Sequence, residues 1–372
     1  MQGIKNLQII KDYLSFISIY YEKSNLIKFL WYRYFPIYKN NIYWPVHPLS
    51  EVRGSVFIGK GVGPMAMAGL GVALPIMNII SAFGSMVGVG AAALFSLRLG
   101  ENKNDTKTIL SNVVLLNFII ACFVVLIGVF FMEPLLRLFG ATDNTAIQNV
   151  VCEGSLNYAK NYLQILLFGN LITNMYLSLN ELLRVSGYPR RSMLIMLSSI
   201  FLNCILDGLF IFVFNWGIAG SACATIISQT IALAFVLWHF SKGTNFIHFS
   251  LDAFRIEQKT ISSILKIGSA SFLLHFCTSI VVFFINKALI TFGDLYIGAY
   301  SVINRVAMLF IMIVAGFNQG MQPIVGYNYG AKNSQRVLEA LRLTIICAVV
   351  VMSIGFLLAE FFPQKIALLF VD

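Results

Sequence analysis

The chain has 372 residues, of which 58% are hydrophobic and only 11% are charged. A soluble domain needs about a quarter of its residues charged to cover its surface, so this composition excludes a soluble globular protein. The formal net charge of +10 would otherwise indicate nucleic acid, but short loops between apolar runs explain it better. We expect a multi-pass membrane protein that contacts lipid and no nucleic acid.

Eight apolar runs emerge along the chain when hydropathy is averaged over about 19 residues. Each run is long enough to cross a hydrocarbon core of about 30 Å as a helix. The runs fall at 66–97, 109–132, 158–182, 192–216, 218–240, 264–291, 297–326 and 340–362. They predict an all-α polytopic membrane protein.

Basic residues occur in alternate loops. The loops after the first, third, fifth and seventh runs hold Arg98, Lys103 and Lys107, then Arg184, Arg190 and Arg191, then Lys242, Arg255 and Lys259, then Lys332 and Arg336. By the positive-inside rule these four loops are cytoplasmic. Residues 1–60 are also basic, so the rule requires one more crossing before the first run. We expect that residues 1–56 are a degenerate segment standing in place of that helix.

The two halves of the chain resemble each other at an offset of 230 residues. Gly90 pairs with Gly320, Gly100 with Gly330 and Val72 with Val302. Each copy has an apolar run, a basic loop, a second run and a short amphipathic piece, at 133–143 and 362–372. An even number of helices separates the copies, so they share one orientation, which is a transporter architecture. Three helices follow the first amphipathic piece, so we expect the second copy to lack about three.

One acidic residue lies deep inside an apolar run. Asp207 sits within 191–217, and Asn203 lies four residues earlier, on the same helical face. A carboxylate there loses hydration at a cost of at least a few kcal/mol, so an intramembrane acid indicates a functional site. The alternative is an acid that only hydrogen-bonds to a neighbouring helix for packing.

Four stretches resemble the multidrug and toxic compound extrusion (MATE) family of cation-coupled exporters. They are FIGKGVGPMAMAGLGVALPI (57–76), LRVSGYPRRSM (183–193), LNCILDGLFIFVFNWGIAGSACATIISQ (202–229) and GMQPIVGYNYGAKNSQRV (320–337). The last is the most specific, because composition alone hardly produces a Gln-Pro that leads into Gly-Tyr-Asn-Tyr-Gly-Ala. The resemblance covers roughly residues 55–372 and implies two parallel-repeat lobes of six helices each, of which this chain carries about eight helices.

On that plan each lobe has a defined range. Residues 57–241 form the N-terminal lobe, 242–262 a cytoplasmic loop, and 263–372 a truncated C-terminal lobe. The family's first helix carries an acid before a Phe-Ile-Gly motif, and Gly54 stands at that position here.

The resemblance implies antiport, in which an organic cation leaves as protons or sodium ions enter. The family's coupling-cation cluster falls on Asn203, Asp207, Thr225 and Tyr162. A carboxylate removed from water holds a proton more readily, and it can also pair with sodium while Asn and Thr oxygens act as further ligands. These residues leave the choice of ion open.

Polar residues in the seventh run are the other candidates. Asn318, Gln319 and Gln322 lie just before Pro323. Amides inside a membrane protein either line a cavity or hydrogen-bond between helices. The sequence leaves both possibilities open for the glutamines.

We therefore expect a monomeric exporter of small organic cations in a bacterial plasma membrane. It needs no cofactor beyond H⁺ or Na⁺ and no metal beyond sodium at Asp207. No span holds paired carboxylates, metal-ligand spacing or a nucleophile constellation, so we expect no enzyme. Two alternatives stay open: a flippase for lipid-linked oligosaccharides from the related exporters, and a non-functional truncated remnant.

Overall fold

A computed structural model of the chain describes residues 58, 62, 64–102, 106–139, 144–147, 150–153, 155–242, 256–290 and 294–362. Eight long helices run through these ranges: α1 (Pro64–Gly100), α2 (Thr106–Leu138), α3 (Ser155–Val185), α4 (Pro189–Gly208), α5 (Gly217–Ser241), α6 (Gln258–Ile290), α7 (Asp294–Gly330) and α8 (Ser334–Phe361). Every predicted apolar run overlaps one of these helices, and the largest difference is at the end of the fourth run, where α4 ends at Gly208 and not at residue 216. The predicted all-α class is therefore confirmed.

Among the described residues, six of these helices contain a stretch long and apolar enough to cross a membrane, and no such stretch is found there in α3 or α7. α3 packs against α1, α2, α4 and α5 and thus lies at the centre of its lobe. A central helix has little lipid contact, so it can carry buried polar residues such as Asn170 and Asn174.

Two apolar clusters join α1, α2, α3 and α5, four helices of the predicted N-terminal lobe. One cluster surrounds Phe95, Leu179 and Phe240, and the other includes Leu163 and Ala222. Interdigitated side chains of this kind fix the helices relative to one another. The second cluster also includes Ile211, which follows α4, and Ile218 of α5.

The division into two lobes stays a prediction. The helices assigned to the C-terminal lobe are α6 to α8; α6 packs against α1 and α2, and α7 packs against α1. A Cβ atom added at Gly100 would overlap the carbonyl oxygen of Tyr327, and one added at Gly330 would overlap that of Leu97. Under the offset of 230 residues, positions 97 and 100 of α1 correspond to positions 327 and 330 of α7. Each contact is therefore the equivalent of the other with the two helices interchanged. A pseudo-two-fold axis between parallel repeats produces such reciprocity, and glycine permits the close approach of the backbones.

The region after the second run differs from the prediction. Residues 133–138 do not form a separate amphipathic piece, because α2 continues through Pro134 to Leu138. A membrane helix tolerates proline where neighbouring groups satisfy the freed carbonyl. An antiparallel hairpin, β1 (Asn144–Ile147) and β2 (Val150–Glu153), follows, with Asn144 opposite Glu153. The sequence did not predict these strands.

Some predictions fall outside the described residues. They are the degenerate segment 1–56 with its Gly54, most of the loop between the lobes, and residues 363–372 of the second amphipathic piece.

Candidate functional site

The end of α4 places Asp207 opposite the start of α5. The chain leaves α4 through a π-helical turn, Leu209–Val213, a widened turn that recurs at functional sites. Asn215 and Gly217 then adopt φ angles of 54° and 59°, in the left-handed region that asparagine and glycine tolerate best. This turn reverses the chain, so the last residues of α4 lie beside the first residues of α5.

Four polar side chains of α4 and α5 meet there, and we name them the carboxylate cluster: Asn203, Asp207, Ser221 and Thr225. Asn203 Nδ2 donates a hydrogen bond to Thr225 Oγ1 at 3.3 Å. The Thr225 hydroxyl donates to the Ser221 carbonyl oxygen at 3.1 Å, and the Ser221 side chain hydrogen-bonds to Asp207. Amide, hydroxyl and carboxylate groups therefore converge on one small volume between the two helices.

The cluster lies inside the protein. Asp207 is 2% exposed, Ser221 3% and Asn203 9%. The Asp207 oxygen Oδ1 is buried and has no hydrogen-bond partner in the part of the chain that the structure describes. Buried polar atoms are normally satisfied, and a buried charge without compensation is costly. Asp207 Oδ1 is therefore suited to take up a proton or a small cation.

The structure brings three of the predicted residues together, since Asn203, Asp207 and Thr225 all belong to this cluster. Ser221 was missed, although its spacing of four residues from Thr225 places both on one face of α5. The π-helical turn was also missed, because no residue pattern marks it. Tyr162 lies on α3, 6% exposed, in the same apolar cluster as Ala222. Its part in binding stays a prediction.

The oxygen donors of the cluster indicate which ligands suit it. They comprise one carboxylate, one amide and two hydroxyl groups, and such hard oxygen ligands favour alkali or alkaline-earth cations over soft metals. No group of three or more His, Cys, Asp or Glu side chains able to hold a metal ion occurs among the described residues.

The glutamines of α7 meet an arginine of α3. Arg184 Nη1 donates to Gln319 Oε1 at 2.8 Å, and Nη2 donates to Gln322 Oε1 at 3.4 Å. Gln322 Nε2 in turn donates to the Val89 carbonyl oxygen at 3.1 Å. The glutamines thus hydrogen-bond between helices, one of the two possibilities that the sequence left open. Asn318 is exposed, and its role in lining a cavity stays a prediction.

The assignment of Arg184 to a cytoplasmic loop was wrong. Arg184 lies within α3, is 5% exposed and forms an ion pair with Glu181 on the same helix. Its position close to Arg190 and Arg191 in the sequence concealed this burial. Those two arginines are exposed, so the loop still carries positive charge.

Comparisons with known proteins identify relatives of this chain. The MatE family model matches residues 49–209 and 267–372. The multidrug export protein MepA of Staphylococcus saprophyticus is 24% identical over 357 residues, which cover 94% of this chain and 76% of that protein. MepA of Staphylococcus aureus is 25% identical over 344 residues, covering 90% of this chain and 73% of that protein.

Solved structures show the same fold. A MATE family multidrug resistance transporter of the MOP superfamily in an outward-facing conformation has a TM-score of 0.79 and 25% identity, covering 88% of this chain and 70% of that chain. The MATE multidrug transporter DinF-BH has a TM-score of 0.79 and 30% identity, covering 90% of this chain and 73% of that chain. Since the family model matches most of its length, this chain is a multi-pass membrane protein that belongs to the MatE family of multidrug efflux transporters.

Proposed function

We propose that this chain exports small organic cations across a bacterial plasma membrane, in exchange for protons or sodium ions that enter. The observation that supports this proposal most directly is the buried Asp207 carboxylate, whose Oδ1 has no hydrogen-bond partner among the described residues. An acid inside a membrane span is expensive and is characteristic of ion and substrate pathways. The curated relatives are named multidrug export proteins, which agrees with export.

A single carboxylate explains exchange through competition. A bare anion is costly in a buried site, so Asp207 is stable when a proton, a sodium ion or a cationic substrate neutralises it. Binding of the coupling ion removes the negative charge that attracts the substrate. The ion and the substrate therefore exclude each other, and the two lobes expose the site to each side in turn.

The rest of the cluster supplies further oxygen ligands. Asn203 uses its amide nitrogen for the bond to Thr225, which leaves its amide oxygen for an ion. The Ser221 hydroxyl already contacts Asp207, so a cation at Oδ1 would lie close to it. Hard oxygen ligands of this kind suit sodium, whereas a proton needs only the carboxylate.

Ethidium efflux from a pump-deficient bacterium tests the proposal. We expect cells that express the chain to accumulate less dye than empty cells, and cells with Asp207→Asn to accumulate as much as empty cells. Glu133→Gln is the matched control, because Glu133 is also an acid in a span but is 45% exposed and paired with Arg137 and Lys160. This control variant is expected to export normally.

The coupling ion is identified in everted vesicles. A proton gradient and a sodium gradient are imposed separately, and dye movement is followed for the chain and for Asp207→Asn. If the dye moves under only one of the two gradients, that gradient identifies the coupling ion. Full export by Asp207→Asn would contradict the assignment of Asp207. If the unaltered chain is present in the membrane and exports nothing, the export proposal fails and the remnant alternative is favoured.

A further inference from the structure

We propose that Arg184 is a positioning residue of the transport cycle, which holds the two lobes together at the cytoplasmic side. It acts through the interlobe cluster, which we define as Glu181, Arg184, Gln319 and Gln322. Arg184 and Glu181 belong to α3 of the N-terminal lobe, and both glutamines belong to α7 of the C-terminal lobe. The inference rests on the proposed function for its place in a cycle, but closure itself is measurable without substrate.

The contacts around this cluster join the same ends of the helices. Arg98 Nη2 of α1 donates to Thr260 Oγ1 of α6 at 2.7 Å. The reciprocal contacts of Gly100 with Tyr327 and of Gly330 with Leu97 lie at the adjoining ends of α1 and α7. The positive-inside rule assigns these ends to the cytoplasm. Farther along α6 the side chains of residues 273–278 are exposed. The described contact between α1 and α6 is thus concentrated toward the cytoplasmic side.

The charge of Arg184 is balanced within its own lobe. Arg184 is 5% exposed and forms its ion pair with Glu181, three residues earlier on α3. An arginine buried without that partner would cost far more than the bonds to two neutral amides return. Because the pair moves with the N-terminal lobe, separation of the lobes leaves no isolated charge behind.

The bonds that cross between the lobes can therefore form and break repeatedly. They join a charged donor to neutral amide oxygens, and such bonds are stronger than those between neutral groups. Water that enters an opening cavity replaces them. The contact favours closure without preventing opening, as an alternating cycle requires.

The geometry also specifies arginine. Separate guanidinium nitrogens reach Gln319 and Gln322, which lie three residues apart on one face of α7. A planar guanidinium holds two acceptors in a fixed fork, whereas a lysine ammonium is a single point charge on a flexible stem. Arg184→Lys should keep the pair with Glu181 but close the lobes less firmly.

Thiol labelling at Ser96 tests the proposal. Ser96 is 2% exposed and lies against Gly326 at the α1–α7 contact. In a background with the six native cysteines replaced, Ser96→Cys is labelled with a membrane-impermeant maleimide in everted vesicles, without drug or ion gradient. We expect Arg184→Gln to accelerate labelling about tenfold, as loss of charge-assisted hydrogen bonds implies, and Arg184→Lys to be intermediate.

A second variant guards against misfolding. Gln319→Leu combined with Gln322→Leu removes the acceptors while the Arg184–Glu181 pair stays, and it should also accelerate labelling. Arg191→Gln is the matched control, because Arg191 Nη1 lies 3.1 Å from His239 Nδ1 and both residues belong to the N-terminal lobe. Labelling in this control should match the parent.

The outcomes separate the two proposals. If the folded Arg184→Gln variant and the double glutamine variant both label as slowly as the parent, Arg184 does not hold the lobes closed. If labelling accelerates in a chain that exports no dye, the proposed function fails while the closure inference stands.

Discussion

The N-terminal lobe buries two charges that are treated in opposite ways. Asp207 lies between α4 and α5, and its Oδ1 has no hydrogen-bond partner among the described residues. Arg184 lies on α3, where it forms an ion pair with Glu181, and it also donates a hydrogen bond to Gln319 of α7. One charge has an oxygen without a partner among the described residues, and the other is compensated by the chain itself.

The difference is the one that the proposed function requires between a binding site and a contact that opens and closes. A site that exchanges ligands needs a charge that is neutralised only while a ligand is bound. The state without ligand is then costly, because the buried charge has no compensation. A contact that must open and close needs a charge that is balanced in both states. The carboxylate cluster meets the first condition and the interlobe cluster meets the second.

The largest effect should follow from Asp207→Asn. Removing one partner of a buried charge pair costs about 3 kcal/mol, which is about a hundredfold in affinity, so binding of the coupling ion should fall by that much. The same variant should melt no lower than the parent, because it removes an uncompensated buried charge. Ion binding and the thermal unfolding midpoint of the purified protein in detergent check both parts. A clear fall in that midpoint would show that Asp207 is structural.

Arg184→Met should act in the opposite way, on stability. It leaves Glu181 without its ion-pair partner, and since that carboxylate is 21% exposed we expect a loss of about 2 kcal/mol, less than for a fully buried pair. Arg184→Met combined with Glu181→Leu should recover most of that stability, because no charge remains. Thermal unfolding of the two variants and the parent measures the recovery. If the double variant is no more stable than the single one, the two residues are not coupled.

Glycine substitutions at the lobe contact should have equal effects. A Cβ atom at Gly100 or at Gly330 meets the backbone of the opposite helix, so each alanine variant should be less stable by about 1–2 kcal/mol, in the range of overpacking. Gly71→Ala is the control, because a Cβ atom there meets nothing within 4 Å. Thermal unfolding should show two similar losses and no loss at Gly71. A loss at only one of the paired glycines would contradict the pseudo-two-fold contact.

The parts of the molecule that the sequence predicted depend on local periodicity. The eight helices follow from apolar runs, and among the described residues six of these helices contain a stretch of membrane-crossing length and hydropathy. Asn203 and Asp207 lie one helical turn apart in such a run, and this spacing alone places them on one face. Gly100 and Gly330, which the offset of 230 residues had already paired, make equivalent backbone contacts with Tyr327 and Leu97.

The parts that the sequence missed depend on tertiary structure. Arg184 and Gln319 are 135 residues apart, and no local pattern shows that an arginine beside a basic loop lies buried against another lobe. Ser221 is a small residue of a common type in membrane helices, so it is recognised only once α4 and α5 are packed together. The strands of the hairpin, β1 and β2, are too short for hydropathy to show them.

The smallest effect should come from Ser221→Ala. This variant tests whether residues of the carboxylate cluster other than Asp207 take part in ion binding. Ser221 hydrogen-bonds to Asp207, and loss of such a bond costs about 1 kcal/mol, so the ion concentration for half-maximal transport should rise about fivefold. Ser228→Ala is the matched control, because Ser228 is also buried in α5 but donates to the Thr225 carbonyl oxygen. Transport measured over a range of ion concentrations should shift for Ser221→Ala alone. Equal shifts in both variants would mean that α5 tolerates no loss of a buried hydroxyl, and the binding role would then rest on Asp207 by itself.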